Sequence, residues 1–209
     1  MSKRKTVYYI CKRIFDVIVA ALALIVLSPA FLVLAIMIKC QDGGPVFFKQ
    51  MRIGKNRKEI GIYKFRSMKV GADRLEDVLT PEQLEEYKKE FKLDQDPRVT
   101  KLGQFLRKTS LDELPQLVNI LSGTLSFVGP RPILAEEVHV YTEEEQEKFF
   151  SVTPGLTGYW QAYARNNATY ATGERQRMEL NYIDRASLWF DFKILLRTVK
   201  VVILRDGAK

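Results

Sequence analysis

From Val17 to Ile38 the chain runs through 22 residues, of which only Ser28 and Pro29 are not apolar. As a straight helix this run reaches about 33 Å, enough to cross a hydrocarbon core of roughly 30 Å. Its length, and the lack of a small-residue cleavage motif after it, argue against a cleaved signal segment. Downstream the pattern changes. Val46-Phe47-Phe48 and Ile60-Gly61-Ile62-Tyr63 flank the polar stretch Gly54-Lys55-Asn56-Arg57-Lys58, which predicts a β-hairpin between Pro45 and Phe65. Thr80-Pro81-Glu82-Gln83 predicts a helix start, with Thr80 as cap and Gln83 completing a capping box. Leu84, Tyr87 and Phe91 then recur at helical spacing over residues 81–92. Residues 98–110 place Val99, Leu102, Phe105 and Leu106 on one face, an amphipathic helix that either lies on a membrane or packs on the core. Ser110-Leu111-Asp112-Glu113 predicts another helix start, continuing through Leu117, Val118, Ile120 and Leu121. Glycines and prolines mark residues 122–160 as loops. From Leu188 to Leu204 the chain is again apolar, with Lys193, Arg197 and Lys200 forming a basic stripe. That predicts a helix lying in a membrane interface.

Charge placement adds to this picture. The net charge is +8, but residues 1–70 hold 14 Lys and Arg against three acids, whereas the remaining 139 hold 19 against 22. A basic excess bracketing an apolar run points to an anionic membrane surface, where each Lys or Arg is worth about 1 kcal/mol, and not to nucleic acid. A spanning helix should show asymmetric flanks. Here Lys3, Arg4, Lys5, Lys12 and Arg13 precede the run, and Lys39, Lys49, Arg52, Lys55, Arg57 and Lys58 follow it. Positive charge on both sides fits a re-entrant hairpin with both ends in the cytoplasm; a spanning helix with a tolerated proline is the alternative. Pro29 near the midpoint removes a backbone donor, and the Ser28 hydroxyl can occupy the carbonyl so freed. Asp16 is expected at the interface beside Arg13.

Cys11 and Cys40 are too few for a disulfide framework, and His139 is the sole histidine. Chemistry here therefore falls to carboxylates, Lys, Arg or hydroxyls. Asp112 and Glu113 are the candidates, although Ser110 and Glu113 also read as a capping box with acids in a first helical turn. Spacing alone favours the capping reading.

The wider string of motifs bears on that choice. In order, the chain carries GPVFFKQMRIGK (44–55), KFRSM (64–68), DPRVTKLGQFLRKTSLDELPQLVNIL (96–121), SFVGPRP (126–132), PGLTGYWQ (154–161), ARN (164–166) and YIDRASLWFDFKILLRT (182–198). This order resembles the bacterial sugar transferase family, the monotopic phosphoglycosyl transferases, over about 185 of the 209 residues. The TSLDELPQ and VGPRP blocks together are its specific part. The resemblance is to the minimal members, without a preceding membrane domain.

The resemblance implies an α+β monotopic membrane protein. It has a re-entrant, Ser-Pro-broken helix at Ser28-Pro29 within residues 1–40, a β-hairpin, and a mainly helical cytoplasmic catalytic domain over 41–209. It implies transfer of a sugar phosphate from a UDP-sugar to polyprenyl phosphate at the bacterial inner membrane, releasing UMP, as an initiating step of polysaccharide assembly. Asp112 is the implied nucleophile, forming a covalent phosphosugar, and Glu113 the implied Mg²⁺ partner. Lys64 and Arg66 at the end of the second strand, Arg131 between two prolines, and Arg107 are expected at phosphates or lipid headgroups. Gln161, Arg165, Asn166 and Glu179 are assigned to the donor site by the resemblance alone. Glu179 stands where many relatives have aspartate, and Tyr163-Ala164 where many have Ser-Gly. Anionic lipids, a homodimer mate and downstream glycosyltransferases complete the expected partners. Two rival readings are a single-step enzyme that binds both substrates together, and a non-enzymatic membrane adapter.

Overall fold

The computed structural model describes residues 3–72, 74–90, 93, 96–164, 168, 170 and 172–204. Helix α1 (Lys3–Asp42) contains the apolar run and extends beyond it on both sides, about 60 Å of helix for its 40 residues. By length and composition it is long and apolar enough to cross a membrane. Pro29 has no amide to donate to the carbonyl of Ile25, and the Ser28 hydroxyl donates to that carbonyl instead, at 2.8 Å. The expected break at Ser28-Pro29 is thus one exchanged hydrogen bond, and the segment stays a single helix because the orphaned acceptor is satisfied locally.

One stripe of α1 faces the rest of the chain. Lys12, Asp16, Ala20, Leu34 and Ile38 are buried, and Ala23, Leu24, Leu27 and Phe31 pack between them. These positions recur every three or four residues, as a helix with one seated face requires. The opposite side leaves Ile14, Ile18, Leu22, Ile25, Val26, Leu32, Val33 and Ile36 more than half exposed. Polar contacts fix the seated face. The Arg13 guanidinium donates to the carbonyls of Ile120 and Leu121, at 2.6 Å each, and so caps the last turn of α5 (Gln116–Ser122). Asp16 is buried, not interfacial, and accepts from the Phe127 amide at 3.1 Å. Lys12, Tyr8 and Tyr182 all donate to Asp191. At the other end the Arg66 guanidinium grips both oxygens of Asp42.

Strands β1 (Phe47–Ile53) and β2 (Glu59–Phe65) form the expected antiparallel hairpin, in a register running from Phe47↔Phe65 to Ile53↔Glu59. Alternation places Phe48, Gln50 and Arg52 on one face with their partners Lys64, Ile62 and Ile60. Ile62 on that face packs against Leu117 and Ile120 of α5. The free edge of β2 is also paired. Asn119 of α5 accepts from the Tyr63 amide at 3.0 Å and donates to the Gly61 carbonyl at 2.7 Å.

After the short helix α2 (Leu75–Val78), the Thr80–Gln83 capping box forms reciprocally and starts α3 (Pro81–Glu90). Helix α4 (Lys101–Thr109) is capped by Thr100 and buries Gly103 and Leu106. Phe105 is 51% exposed, because one residue step turns a helix by about 100° and carries it off the buried stripe. Val99 lies outside α4, bridged to Met68. The helix expected from Ser110 starts later. Ser110 is left-handed (φ 58°, ψ 17°) and terminates α4. Leu111–Glu113 form a single 3-10 turn, and α5 begins after Pro115, whose fixed φ suits a first helical turn. No Ser110 side-chain cap forms.

Residues 122–160 are more ordered than their glycines and prolines suggest. They hold β3 (Ser126–Val128), a 3-10 turn (Ala135–Val140), α6 (Glu143–Phe149), β4 (Gly155–Thr157) and the start of α7 (Tyr159–Tyr163). β3 and β4 pair in parallel. Gly129 and Gly155 pass so closely that a Cβ on Gly155 would lie 2.1 Å from the Gly129 amide nitrogen. The VGPRP and PGLTG motifs are thus two sides of one glycine crossing. Helices α8 (Glu174–Arg185) and α9 (Leu188–Leu204) close the chain, and Trp189, Phe192, Leu196 and Val199 of α9 are exposed beside its basic stripe. The whole is a mixed helix-and-strand fold carrying one long apolar helix, in keeping with the expected α+β class.

Gly103 gives a direct test of this packing. A Cβ there would sit 1.8 Å from the Ser67 carbonyl oxygen. Gly103→Ala should lower stability by about 1–3 kcal/mol, the usual range for overpacking, measured as a shift in the denaturation midpoint.

Candidate active site

Asp112 and Glu113 lie in the 3-10 turn between α4 and α5. The left-handed Ser110 turns the chain there, and Asp112 is buried while the Glu113 side chain remains 40% exposed. From the hairpin face Lys64 reaches across to Glu113, Nζ to Oε1 at 3.1 Å. Arg107, on the last turn of α4, is aimed by a hydrogen bond from its Nε to the Ser67 hydroxyl at 2.9 Å.

The electrostatics follow from this grouping. Burial pushes the Asp112 carboxyl above its ordinary value and the neighbouring Glu113 charge adds to the rise, while Lys64 and Arg107 oppose it. Two adjacent carboxylates, one buried and one partly exposed, thus stand together with cations on two sides. The residues suit a hard cation such as Mg²⁺, which takes one or two carboxylates together with phosphate oxygens. No group of three Asp, Glu, His or Cys side chains converges among the described residues.

Arg66 is positioned differently. Its guanidinium is spent on Asp42, the Pro45 carbonyl at 2.6 Å and the Ile38 carbonyl at 3.5 Å, with its side chain 6% exposed. The structure therefore gives Arg66 a fastening role in place of the expected phosphate contact.

A second group gathers at the turn end of the same hairpin face. Arg131 donates its amide to Glu179 Oε1 at 3.2 Å, and its guanidinium lies 5.9 Å from the centre of the Trp160 ring. Glu179 is 1% exposed, and burial drives its carboxyl up to about 7 against the opposing pull of the Arg131 amide, Arg175 and Arg131. Around them stand residues that the motifs did not single out. Arg52 pairs with Glu137 at 3.1 Å, Tyr170 donates to Glu137 at 2.9 Å, and Arg175 lies 3.7 Å from the same carboxylate. Burial pushes Glu137 upward, but Arg131, the Leu134 amide, Arg175 and Arg52 outweigh it and hold the carboxyl below its ordinary value. Gln161 uses its Nε2 on the Leu156 carbonyl at 3.2 Å and leaves Oε1 buried without a partner. Arg165 and Asn166 lie outside the described residues.

Sequence reasoning missed Asn119, Arg52, Glu137 and Arg175. Asn119 had a signal, since a lone amide inside the apolar Leu117–Leu121 run must find buried partners. The other three had none, because charged residues far apart in sequence announce no pairing. Asp112, Glu113, Lys64 and Arg107 come together as one group, and Arg131 and Glu179 as another, with three residues of strand between Lys64 and Arg52's partner Ile60.

Comparison with known proteins agrees with the motif order. Residues 7–205 match the family described as bacterial sugar transferase. An uncharacterized sugar transferase of Haemophilus influenzae is 46% identical over 202 residues, covering 95% of this chain and 42% of that protein. The undecaprenyl-phosphate galactose phosphotransferase of Salmonella typhimurium is 42% identical over 200 residues, 94% of this chain and 41% of that one. The exopolysaccharide production protein ExoY of Sinorhizobium fredii is 44% identical over 202 residues, 95% of this chain and 88% of that one. The chain thus spans less than half the length of the Haemophilus and Salmonella relatives and most of the length of ExoY. With nearly every residue inside the matched region, this chain belongs to the bacterial sugar transferase family.

Proposed function

We propose that the protein is a membrane-bound transferase that moves a sugar phosphate from a UDP-sugar to polyprenyl phosphate through a phosphosugar carried on Asp112. The carrying observation is the buried Asp112 beside the more exposed Glu113, with Lys64 on Glu113 and Arg107 near at hand. The name of the Salmonella relative supports undecaprenyl phosphate as acceptor and galactose as one candidate sugar.

An ionised Asp112 oxygen attacks the β-phosphorus of the UDP-sugar. The new bond is carboxylate oxygen to phosphorus, the bond broken is that to the bridging oxygen, and UMP leaves with the electron pair. A phosphate oxygen of the lipid acceptor then attacks the same phosphorus. It forms the lipid diphospho-sugar and returns Asp112 as a carboxylate. Lys64 and Arg107 neutralise phosphoryl oxygens, which is most of what such transfers ask of a protein. Glu113 is the residue that would hold Mg²⁺, which when bound screens the phosphate charge. Arg131 and Glu179 belong to the donor side of this reading, Gln161 with them.

In this reading both ends of α1 lie on the cytoplasmic side with the catalytic body, and the helix bends at Ser28-Pro29 where it dips into the membrane. Support comes from its seated stripe. Residues on both sides of Pro29 pack against the same body, from Lys12 at Asp191 to Asp42 at Arg66. A helix crossing the bilayer would carry one of those ends away.

Incubation with a UDP-sugar labelled in its β-phosphate should label wild-type protein and release UMP. Asp112→Asn should take no label, and lipid-product formation should fall at least about a thousandfold. Its fold should persist, since the change removes a buried charge beside Glu113. A label retained in this variant would refute the assignment.

The pH profile of labelling gives a second check. Since the anion attacks and burial raises its pKa, labelling should fail on the acid side at a pH above the ordinary aspartate value. Glu113→Gln should move that midpoint down and Lys64→Met should move it up. Shifts of opposite sign would contradict the electrostatic picture.

For topology, Cys11 and Cys40 are both exposed and stand at either end of the apolar run. A membrane-impermeant thiol reagent should reach both from the cytoplasmic side of oriented vesicles. Labelling from opposite sides would establish a crossing helix.

A further inference from the structure

The GPVFF motif ends in two phenylalanines that neither the core nor the candidate site uses up. Phe47 and Phe48 are consecutive in β1 and so point to opposite faces of the hairpin, yet both stay about half exposed, at 51% and 47%. A lone apolar side chain in the open is ordinary on a protein surface. A strand that shows aromatic rings on both faces calls for a reason, and here the two faces lead to different places.

On one face Phe47 stacks on Phe65, with ring centres 5.3 Å apart, and Phe65 meets Phe31 of α1 at 5.2 Å. Val46 packs into the same cluster with Leu34 and Ile38. The start of β1 is therefore continuous with the apolar run, the segment long and apolar enough to cross a membrane. On the other face Phe48 stands directly opposite Lys64. Opposed residues of an antiparallel pair hold their Cβ atoms about 5 Å apart on one side of the sheet. Lys64 in turn reaches Glu113, the neighbour of Asp112. Phe48 is thus an open apolar residue between the helix end of the hairpin and the cation at the carboxylates.

The rest of that face runs toward the donor side. Arg52 donates to Gln50 Oε1 at 3.0 Å and pairs with Glu137 at the turn end. In the proposed reaction a nucleotide sugar and a lipid phosphate occupy the same phosphoryl position in turn and differ in what trails from it. A nucleoside suits the polar turn end. A hydrocarbon chain suits the end where Phe48 is open and the apolar helix is close. Contact with that ring takes isoprenoid surface out of water, a gain realised only by an acceptor that carries such a chain.

We infer that Phe48 is a specificity-determining contact for the lipid acceptor: the isoprene units next to its phosphate lie over the Phe48 ring while the phosphate meets Lys64 and Arg107. The inference rests on the transferase reading for the identity of the ligand, a prenyl phosphate.

The two half-reactions separate this contact from the fold. The full chain is first labelled with a panel of UDP-glucose, UDP-galactose and their N-acetyl forms, each carrying a labelled β-phosphate, and then chased with farnesyl phosphate. Phe48→Ala should take the label within about twofold of the wild-type rate and release it to farnesyl phosphate at least about tenfold less efficiently. Phe48→Leu should recover most of the chase, and Phe47→Leu, on the other face, should chase like wild type. An unaffected chase in Phe48→Ala would overturn the inference, as would label and chase falling together. A chase defect that persists when butyl phosphate replaces farnesyl phosphate would also overturn it, since no isoprene is then present to be lost.

Farnesyl phosphate bearing a diazirine on its first isoprene unit, added without any UDP-sugar, tests the wild-type protein alone. Crosslinks should map to Phe48 and its strand neighbours and be competed by farnesyl phosphate but not by farnesol. Crosslinks elsewhere, or ones that farnesol competes equally well, would sink the site even if no variant folds. Protein that takes no label from any UDP-sugar but crosslinks at Phe48 loses the transferase reading and retains a prenyl-phosphate site. Protein that labels normally and whose chase ignores Phe48 loses this site alone.

Discussion

The ion pair between Arg66 and Asp42 joins the end of the apolar helix to the strand that carries Lys64. Around it, four consecutive residues fasten the carboxylate turn, α1 and α4. Lys64 reaches Glu113, and Phe65 is buried among Ile38 of α1 and Leu106 of α4. Arg66 fastens the end of α1, while Ser67 aims Arg107 through its hydroxyl and receives the Thr100 amide at its carbonyl. Alternation along an extended chain sends successive side chains to opposite sides, so one short stretch can serve the carboxylates, the core and the membrane helix together. Detaching Arg66 would therefore loosen the apolar helix and the cations beside the carboxylate pair at once. That coupling accounts for a guanidinium taken out of water at a position where exposed cations might have seemed more useful.

The carboxylate pair depends on a balance within this frame. A buried carboxylate beside another is held at some electrostatic cost, and the cost is tolerable because Lys64 and Arg107 stand close without engaging Asp112 in a tight pair. A full salt bridge would neutralise Asp112 and pull its carboxyl down. Lys64 instead takes the more exposed neighbour, Glu113, and acts on Asp112 through space. Asn119 keeps this arrangement in register, because its amide closes the edge of β2 one residue before Lys64. An exposed edge there would otherwise be free to slip.

Local features were legible in the sequence, and long-range pairings were not. The hairpin, the Thr80–Gln83 capping box and the span of α9 each follow from signals contained within a few residues. The Ser110 capping box shows how a local signal loses. Pro115 sets the start of α5 five residues beyond the expected place, and Ser110 is taken up in ending α4. The parallel pair β3 and β4 was invisible because its strands are three residues long and 26 residues apart at their closest, with glycines that look like turn residues but serve a crossing. Of the candidate site, the Asp112–Glu113 pair and its cations were singled out by motif, whereas the engagement of Arg66 with Asp42 and the place of Glu137 were not foreseen. Both of those depend on partners at least 24 residues away, Asp42 for Arg66 and Arg52 for Glu137. No periodicity encodes such pairs.

The hydrogen bond from Ser28 to Ile25 has a mechanical meaning. A proline inside an apolar helix weakens one rung of the ladder, and in hydrocarbon an unpaired carbonyl is expensive. By covering that carbonyl from within the same turn, Ser28 leaves the midpoint of the apolar helix satisfied without water or a neighbouring helix. Bilayers differ in thickness, and an anchor that flexes at its centre can follow them while its two ends stay fastened. Ser28 and Pro29 lie on α1, whereas Asp112 and Glu113 lie in the turn between α4 and α5, so a bend of α1 at Ser28-Pro29 would fall on a different element from the carboxylates.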